Sequence, residues 1–474
     1  MKEITPSEGY LLDEDEHDIV CDYEGDLVAE VSRSTKSKEQ VIKQPFQLIK
    51  VSDNGDDTEA PLLKGAGFTA YLKSALPVKE DGSYDFGNAQ PVVIGADGAT
   101  SIFSDEKGHA VSIPIPYGTY VVIESVTPHN MTPIKPFEVK ITENHPDKPQ
   151  TWRVFLDREF SAKLRVVKKD ADTKKTVLLP NAAFKIYNLD KKEYVVQYTT
   201  YPSKVKHEIF KTDEDGDLIL PEKLKLGNYQ IEEISAPFGY VVNKEPIKFA
   251  VDSDTPYETD SDTYDVIITE DCFDAPAVGE LTVEKRGEVL DDYKGSLFAD
   301  EEKKEFIYKE AGPAGAKFEV YAAEDIFTAD NQKDENGNRT KYYSNGDLVT
   351  TLTTDKEGKA VAKNLPLGKY KVVEVQAPDG FVLNSEEQFV TFTYVDDQTP
   401  VIKESLTFKN ERQKVDLSVD KIDKETEKPI AGAEFGLYAA NDIVNADGKI
   451  VVEKDTMLER AVSETDGKVA FVKD

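Results

Sequence analysis

Four lysines stand where an apolar side chain would be expected. Lys50, Lys168, Lys285 and Lys421 close the segments FQLIK, LRVVK, LTVEK and LSVDK. Alternate residues of a strand share a face, so Leu48, Val166, Val283 and Val419 put each lysine next on an apolar row. Three glutamates repeat the anomaly: Glu124 follows Tyr120 and Val122, Glu233 follows Tyr229 and Ile231, and Glu374 follows Tyr370 and Val372. A third group, Asp157, Asp274 and Asn410, precedes the next lysine (Lys168, Lys285 and Lys421) by the same interval each time. Asn410 shares its face with Leu406 and Phe408, Asp274 with Cys272 and Asp157 with Phe155. An isolated buried charge costs several kcal/mol, so such groups must be paired, neutral or chemically consumed.

The elements that carry them form a repeat. Each lysine segment is followed by a second apolar block (GAGFTAYL, NAAFKIYN, AGAKFEVYAA, AGAEFGLYAA) and then by an acidic turn, SDEKGH, TDEDGD, TDKEGK or ETDGK. Asp and Gly at such positions join hairpin strands. Three copies continue into YGTYVVIESVTPHN, LGNYQIEEISAPFG and LGKYKVVEVQAPDG, and the fourth stops before that block. The intervals from Lys50 to Lys168, Lys285 and Lys421 are the size of whole domains, which makes this a tandem array and not a solenoid of small units. Val, Ile, Tyr, Phe and Thr alternate with polar residues between Gly, Pro and Asp turns, which predicts strands. The expected fold is all-β, a row of β-sandwiches. Boundaries fall at 1–44 (the end of a preceding repeat), 45–160, 161–278, 279–412 and 413–474 (the start of a fourth sandwich). In the N-terminal piece KEITPSEGY matches VEVQAPDGF, which places Glu3 as Glu374 and Glu39 in the slot of Asn410. The chain is thus expected to be a piece of a longer array. The third copy is longest because of charged stretches, DDYKGSLFADEEKKEF and NQKDENGNRTKYYSNGD, read as enlarged surface loops.

Composition removes several classes. With 58 Lys+Arg against 91 Asp+Glu the formal charge is −33, which repels nucleic acid and anionic membranes. No apolar run is long enough to insert into a membrane. The 2 cysteines, Cys21 and Cys272, make no disulfide framework. The 5 histidines are scattered and the acidic turns miss the EF-hand spacing, so no metal and no cofactor is expected.

The lysine followed by an acid, the E-x-x-A-P-x-G-[YF] run and the final-strand Asn/Asp together resemble the SpaA-type, or CnaB-like, prealbumin-like (Ig-like) domains of Gram-positive surface adhesins and pilins. The resemblance covers essentially the whole chain. It implies intramolecular isopeptide bonds between lysine and Asn/Asp, assisted by the glutamate, in the triads Lys50, Glu124 and Asp157; Lys168, Glu233 and Asp274; and Lys285, Glu374 and Asn410. Burial would keep the amine neutral and the glutamate protonated. Glu374 would then polarise the Asn410 carbonyl and shuttle protons as ammonia leaves, and the aspartates would lose water. The first copy departs from the pattern, with ESVTPHNM and Asn130 in the glycine position. Lys421 and Glu3 have no complete triad. The alternative for each triad is a buried ion pair without covalent chemistry.

The resemblance implies an exported, cell-wall-attached stalk acting through single-turnover self-modification, not an enzyme, with neighbouring domains of the same longer chain as its contacts. Two other readings stand beside it: a ligand-binding adhesin module for a glycan or host protein, with the enlarged third copy as candidate, and accessory domains of a surface carbohydrate-active enzyme.

Overall fold

A computed structural model describes residues 1–53, 61–80, 82–295 and 304–471. The regular structure of the described residues is nearly all strand, and its three complete repeats are two-layer sandwiches; the helical elements among the described residues are three 3₁₀ turns. In the first repeat His109–Val111, Gln47–Asp53 and Arg153–Arg158 form one sheet, and Ser101–Phe103, Gly67–Leu72, Gly118–Val126 and Phe137–Ile141 form the other. The second repeat pairs Ser161–Asp170 with Val266–Pro276, and sets Ala183–Asn188, Gly227–Ser235 and Ile247–Val251 opposite. The third repeat does the same with Val278–Gly295 and Val401–Asn410 against Lys317–Ala322, Gly368–Gln376 and Gln388–Phe392.

In all three the first and last strands are neighbours and run parallel. Their registers align Lys50 with Phe155, Lys168 with Cys272 and Lys285 with Phe408. Each core lies between the two sheets and is filled by the alternating inward residues read from the sequence, such as Leu281, Val283, Phe318, Tyr370 and Phe408 in the third. The junctions are short. Val266–Pro276 is followed after Ala277 by Val278–Gly295, and Ala277 is itself buried, its N–H donating to Gly239 O at 2.9 Å.

The first charged insertion of the third copy is not a simple loop. Asp291–Gly295 and Lys304–Phe306 extend a strand pair in which Leu290 faces Tyr308 and the Tyr293 and Phe306 rings lie 4.8 Å apart; residues 296–303 lie outside the described residues. The second insertion starts at a seam with the second repeat: Leu178 N–H donates to Asp330 O at 2.9 Å and Gln332 Nε2 to Thr176 O at 2.6 Å. In the first stretch Tyr293 pairs with Phe306 across the two strands, which reading it as a surface loop overlooked; the second stretch is largely exposed, as a surface loop is. The fourth unit, Leu417–Asp420 to Lys468–Phe471, leaves Leu417, Val419 and Val462 exposed.

Candidate functional site: three buried lysine–acid clusters

The backbone of each lysine is fixed by the acidic turn. Lys50, Lys168, Lys285 and Lys421 donate their N–H groups to Gly108, Gly216, Gly358 and Gly467 carbonyls at 2.8, 2.8, 2.7 and 2.7 Å. These glycines have φ between 68° and 79°. A Cβ on Gly108 would come 2.3 Å from Lys50 O and one on Gly216 1.9 Å from Val177 O, so the turn needs glycine both for its conformation and for its closeness to neighbouring backbone.

The glutamates come from the opposite sheet. Glu124, Glu233 and Glu374 pair across the ladder with Phe68, Phe184 and Phe318, and in each case the register slips immediately afterwards. A β-bulge of this kind re-aims side chains beside a functional site. Anchoring on the same strand repeats as well: the Tyr120, Tyr229 and Tyr370 hydroxyls donate to the carbonyls of Pro116, Lys225 and Pro366 at 2.8, 2.9 and 2.6 Å. The same phenylalanines lie beneath the lysine nitrogens, with ring centroids 5.8, 5.6 and 5.7 Å away.

Lysine, glutamate and the final-strand group meet in all three repeats. Lys50 Nζ lies 2.8 Å from Glu124 Oε1 and in contact with Asp157 Oδ1. Lys168 Nζ lies 2.7 Å from Glu233 Oε1 and touches Asp274 Oδ1. In the third repeat Lys285 Nζ is 2.9 Å from Glu374 Oε1 and donates to Asn410 Oδ1, while Asn410 Nδ2 donates to both oxygens of Glu374 at 3.0 and 2.9 Å. The lysine side chains have no solvent exposure.

The electrostatics differ between repeats. Burial pushes the Asp157 carboxyl up to about 6, with Glu124 adding and Lys50 opposing. Burial pushes Asp274 up to about 8 against the pull of Lys168, with Glu233 adding to the rise. Asp157 Oδ2 and Asp274 Oδ2 are buried and have no hydrogen-bond partner among the described residues. Burial also lowers the Lys285 amine below its ordinary value, against Glu374. Each pocket therefore holds an amine, an acyl carbon and a proton carrier in water-excluded contact, the components of amide formation.

One detail of the sequence reading is corrected. The Asn410 carbonyl oxygen faces Lys285, and Glu374 faces the amide nitrogen instead; the carboxyl is placed to carry a proton from Nζ to Nδ2 and does not contact the carbonyl. Asn130 takes the left-handed turn conformation at φ 58°, as Gly239 and Gly380 do at 90° and 82°. Glu3 and Glu39 lie side by side, and their shared hydrogen bond raises the Glu39 carboxyl. Lys421 has the fixed backbone of the other lysines, but no glutamate or final strand faces its side chain among the described residues.

Sequence reasoning missed one set of contacts. The second oxygen of each glutamate accepts a backbone N–H from further along the chain: Ile134 at 3.0 Å, Asn243 at 2.8 Å and Asn384 at 3.0 Å. Glu3 accepts from Asp13 at 2.6 Å in the same way. The recurrence of Asn at 243 and 384, equally far from Glu233 and Glu374, was the available signal.

A parallel first-and-last-strand sandwich with a buried lysine cluster defines the class of domain. Residues 162–265 and 308–407 match the family described as SpaA, prealbumin-like fold domain. Over 69 residues, 15% of this chain and 12% of the relative, the sequence is 35% identical to the trypsin-resistant surface T6 protein of Streptococcus pyogenes serotype M6. Among solved structures, similarity extends to the Bacillus anthracis TIE protein (22% identity, TM-score 0.31, 78% of this chain and 51% of that one). It extends also to the shaft pilin SpaA of Lactobacillus rhamnosus GG (18% identity, TM-score 0.20, 50% of this chain and 98% of that one). The chain spans about half the length of the TIE protein and a small part of the T6 protein.

Proposed function

We propose that this chain is a load-bearing stalk segment of an extracellular, cell-wall-attached surface protein, and that its repeats are closed by intramolecular amide bonds between Lys50 and Asp157, Lys168 and Asp274, and Lys285 and Asn410. The observation that carries the proposal is the third cluster, in which a fully buried lysine nitrogen touches the amide while a carboxyl bridges that nitrogen and the amide's leaving group. An outside location is supported by the surface protein that part of the sequence is similar to.

The reaction in the third repeat begins with neutral Lys285 Nζ attacking Cγ of Asn410. Nζ gives one proton to Glu374, which passes it to Nδ2; the Nζ–Cγ bond forms, the Cγ–Nδ2 bond breaks and ammonia leaves. In the first two repeats the protonated aspartate loses its hydroxyl as water. Each cluster reacts once, so the product is a structural bond and the chain is not an enzyme. The folded core supplies the proximity that lets the amine attack.

Intact-mass measurement of the full chain tests the reading. Loss of two waters and one ammonia is expected, with a branched peptide joining Lys285 to Asn410 after digestion. A folded chain of unshifted mass would refute it.

A further inference from the structure

We propose that Asn384, and Asn243 in the second repeat, are positioning residues for bond formation, an inference that rests on the cross-linking reading above. Each asparagine joins the proton carrier to the strand that bears the acyl group. Asn384 N–H donates to Glu374 Oε2 at 3.0 Å, and its side-chain Nδ2 donates to the carbonyl of Lys409 at 3.1 Å. Lys409 immediately precedes Asn410, the acyl donor. Asn243 does the same, with N–H to Glu233 Oε2 at 2.8 Å and Nδ2 to the carbonyl of Phe273, the neighbour of Asp274, at 3.3 Å. The side-chain oxygens are also occupied: Asn384 Oδ1 accepts from Glu386 N–H and Asn243 Oδ1 from Glu245 N–H, both at 3.0 Å. Donor and acceptor ends of this side chain are therefore both committed, and its rotamer is set.

The consequence is geometric. Glu374 stands on one sheet and Asn410 on the other, so any sliding of the sheets changes the distance from carboxyl to amide. Asn384 spans that gap with one bond to each side. In the first repeat Ile134 keeps the backbone bond to Glu124 at 3.0 Å and has no amide to offer the last strand. A displacement of about 1 Å at a reacting centre lowers a rate by roughly 100-fold. The asparagine touches no reacting atom and acts through Glu374 and the acyl strand.

The test follows bond formation in the full chain during pulse-labelled cell-free synthesis, with acid quenching at intervals and mass analysis of the Lys285–Asn410 peptide. Asn384→Ala and Asn384→Ile are expected to slow ammonia loss by roughly 10- to 100-fold while leaving its pH profile unchanged. Glu374→Gln, which removes the proton carrier, should abolish the reaction. Asn243→Ala should slow water loss in the second repeat alone, which covers the case in which an Asn384 variant does not fold. Wild-type rates in both Asn384→Ala and Asn243→Ala overturn the positioning role and leave the cross-link intact. A changed pH profile in Asn384→Ala would also overturn it, by making the residue part of the proton transfer. Absence of bond formation in the wild-type chain overturns both readings.

Discussion

Glu374→Gln separates the covalent bond from the packing around it. Glutamine has the volume of glutamate and can still accept the Asn384 N–H, which reaches Glu374 Oε2 at 3.0 Å. What it cannot do is take a proton from Lys285 and return it to the leaving nitrogen. The mass of the variant should therefore exceed that of the wild-type cross-linked chain by the ammonia retained, apart from the substitution itself. The bond spans 125 residues of sequence, and closing a loop of that size contributes about 5 kcal/mol by the chain-entropy relation. At roughly 3–5 °C per kcal/mol for a domain of this size, the transition of the third repeat should fall by roughly 15–25 °C. In the variant the unreacted Lys285 amine stays buried beside a neutral glutamine; because burial already lowers its pKa, shedding its proton meets part of that cost. Calorimetry of the full chain, with Lys285→Met as a second variant that forms no bond and buries no amine, reads the effect. Full ammonia loss in Glu374→Gln, or equal melting of wild type and both variants, would refute the reasoning.

The first two repeats should differ in their pH dependence. Below the aspartate pKa the pocket holds one proton more than the reacting pair, so the rate should fall about tenfold per pH unit. The descent should begin below about 6 for Asp157 and below about 8 for Asp274, read as water loss after synthesis at graded pH; coincident profiles would contradict the assigned carboxyl environments. Cysteine alkylation gives an independent probe of the second repeat: exposed Cys21 should react readily, whereas Cys272 is buried with its thiol pushed up to about 12 and should react only after denaturation. Equal labelling of the two under native conditions would show that the Lys168 pocket opens. Single-molecule extension should show no unfolding step from the third repeat in wild type. In Glu374→Gln it should show one that releases roughly 400–450 Å of contour, at the reach of an extended chain.

The sequence carried the fold and most of the site because both follow from period-two alternation. A lysine in an apolar row, such as Lys285 after Leu281 and Val283, is visible without coordinates. The contacts that aim the groups were hidden for particular reasons. The glycine that holds each lysine lies across an insertion of variable length, much longer from Lys285 to Gly358 than from Lys168 to Gly216, so no fixed spacing marks it. The β-bulge after each glutamate depends on pairing with a distant strand and leaves no local composition. The orientation of the Asn410 amide depends on which neighbour faces each of its ends, Lys285 or Glu374, and strand alternation cannot give that. The first charged insertion was misread because charge was taken to mean solvent, while Tyr293 and Phe306 face each other across its two strands.

The constant separation between one acyl donor and the next lysine has a mechanical meaning under the proposed function. Asp157 and Lys168, Asp274 and Lys285, and Asn410 and Lys421 are equally far apart in sequence, although the repeats themselves differ in length. Tension entering the third repeat at Val278 would run along the first strand to Lys285, cross the amide to Asn410 and leave toward the fourth unit. The two strands are parallel, so entry and exit lie at opposite ends of their ladder, and without the bond their hydrogen bonds would be loaded in shear. With it, the loaded backbone is the short stretch between successive bonds, and everything from Arg286 to Lys409 is free of load. Insertions such as the charged stretch after Leu290 can then vary in length without changing the stiffness of the array, because they lie inside the bypassed loop. That arrangement explains why the spacing outside the bonds is held constant while the spacing inside them is not.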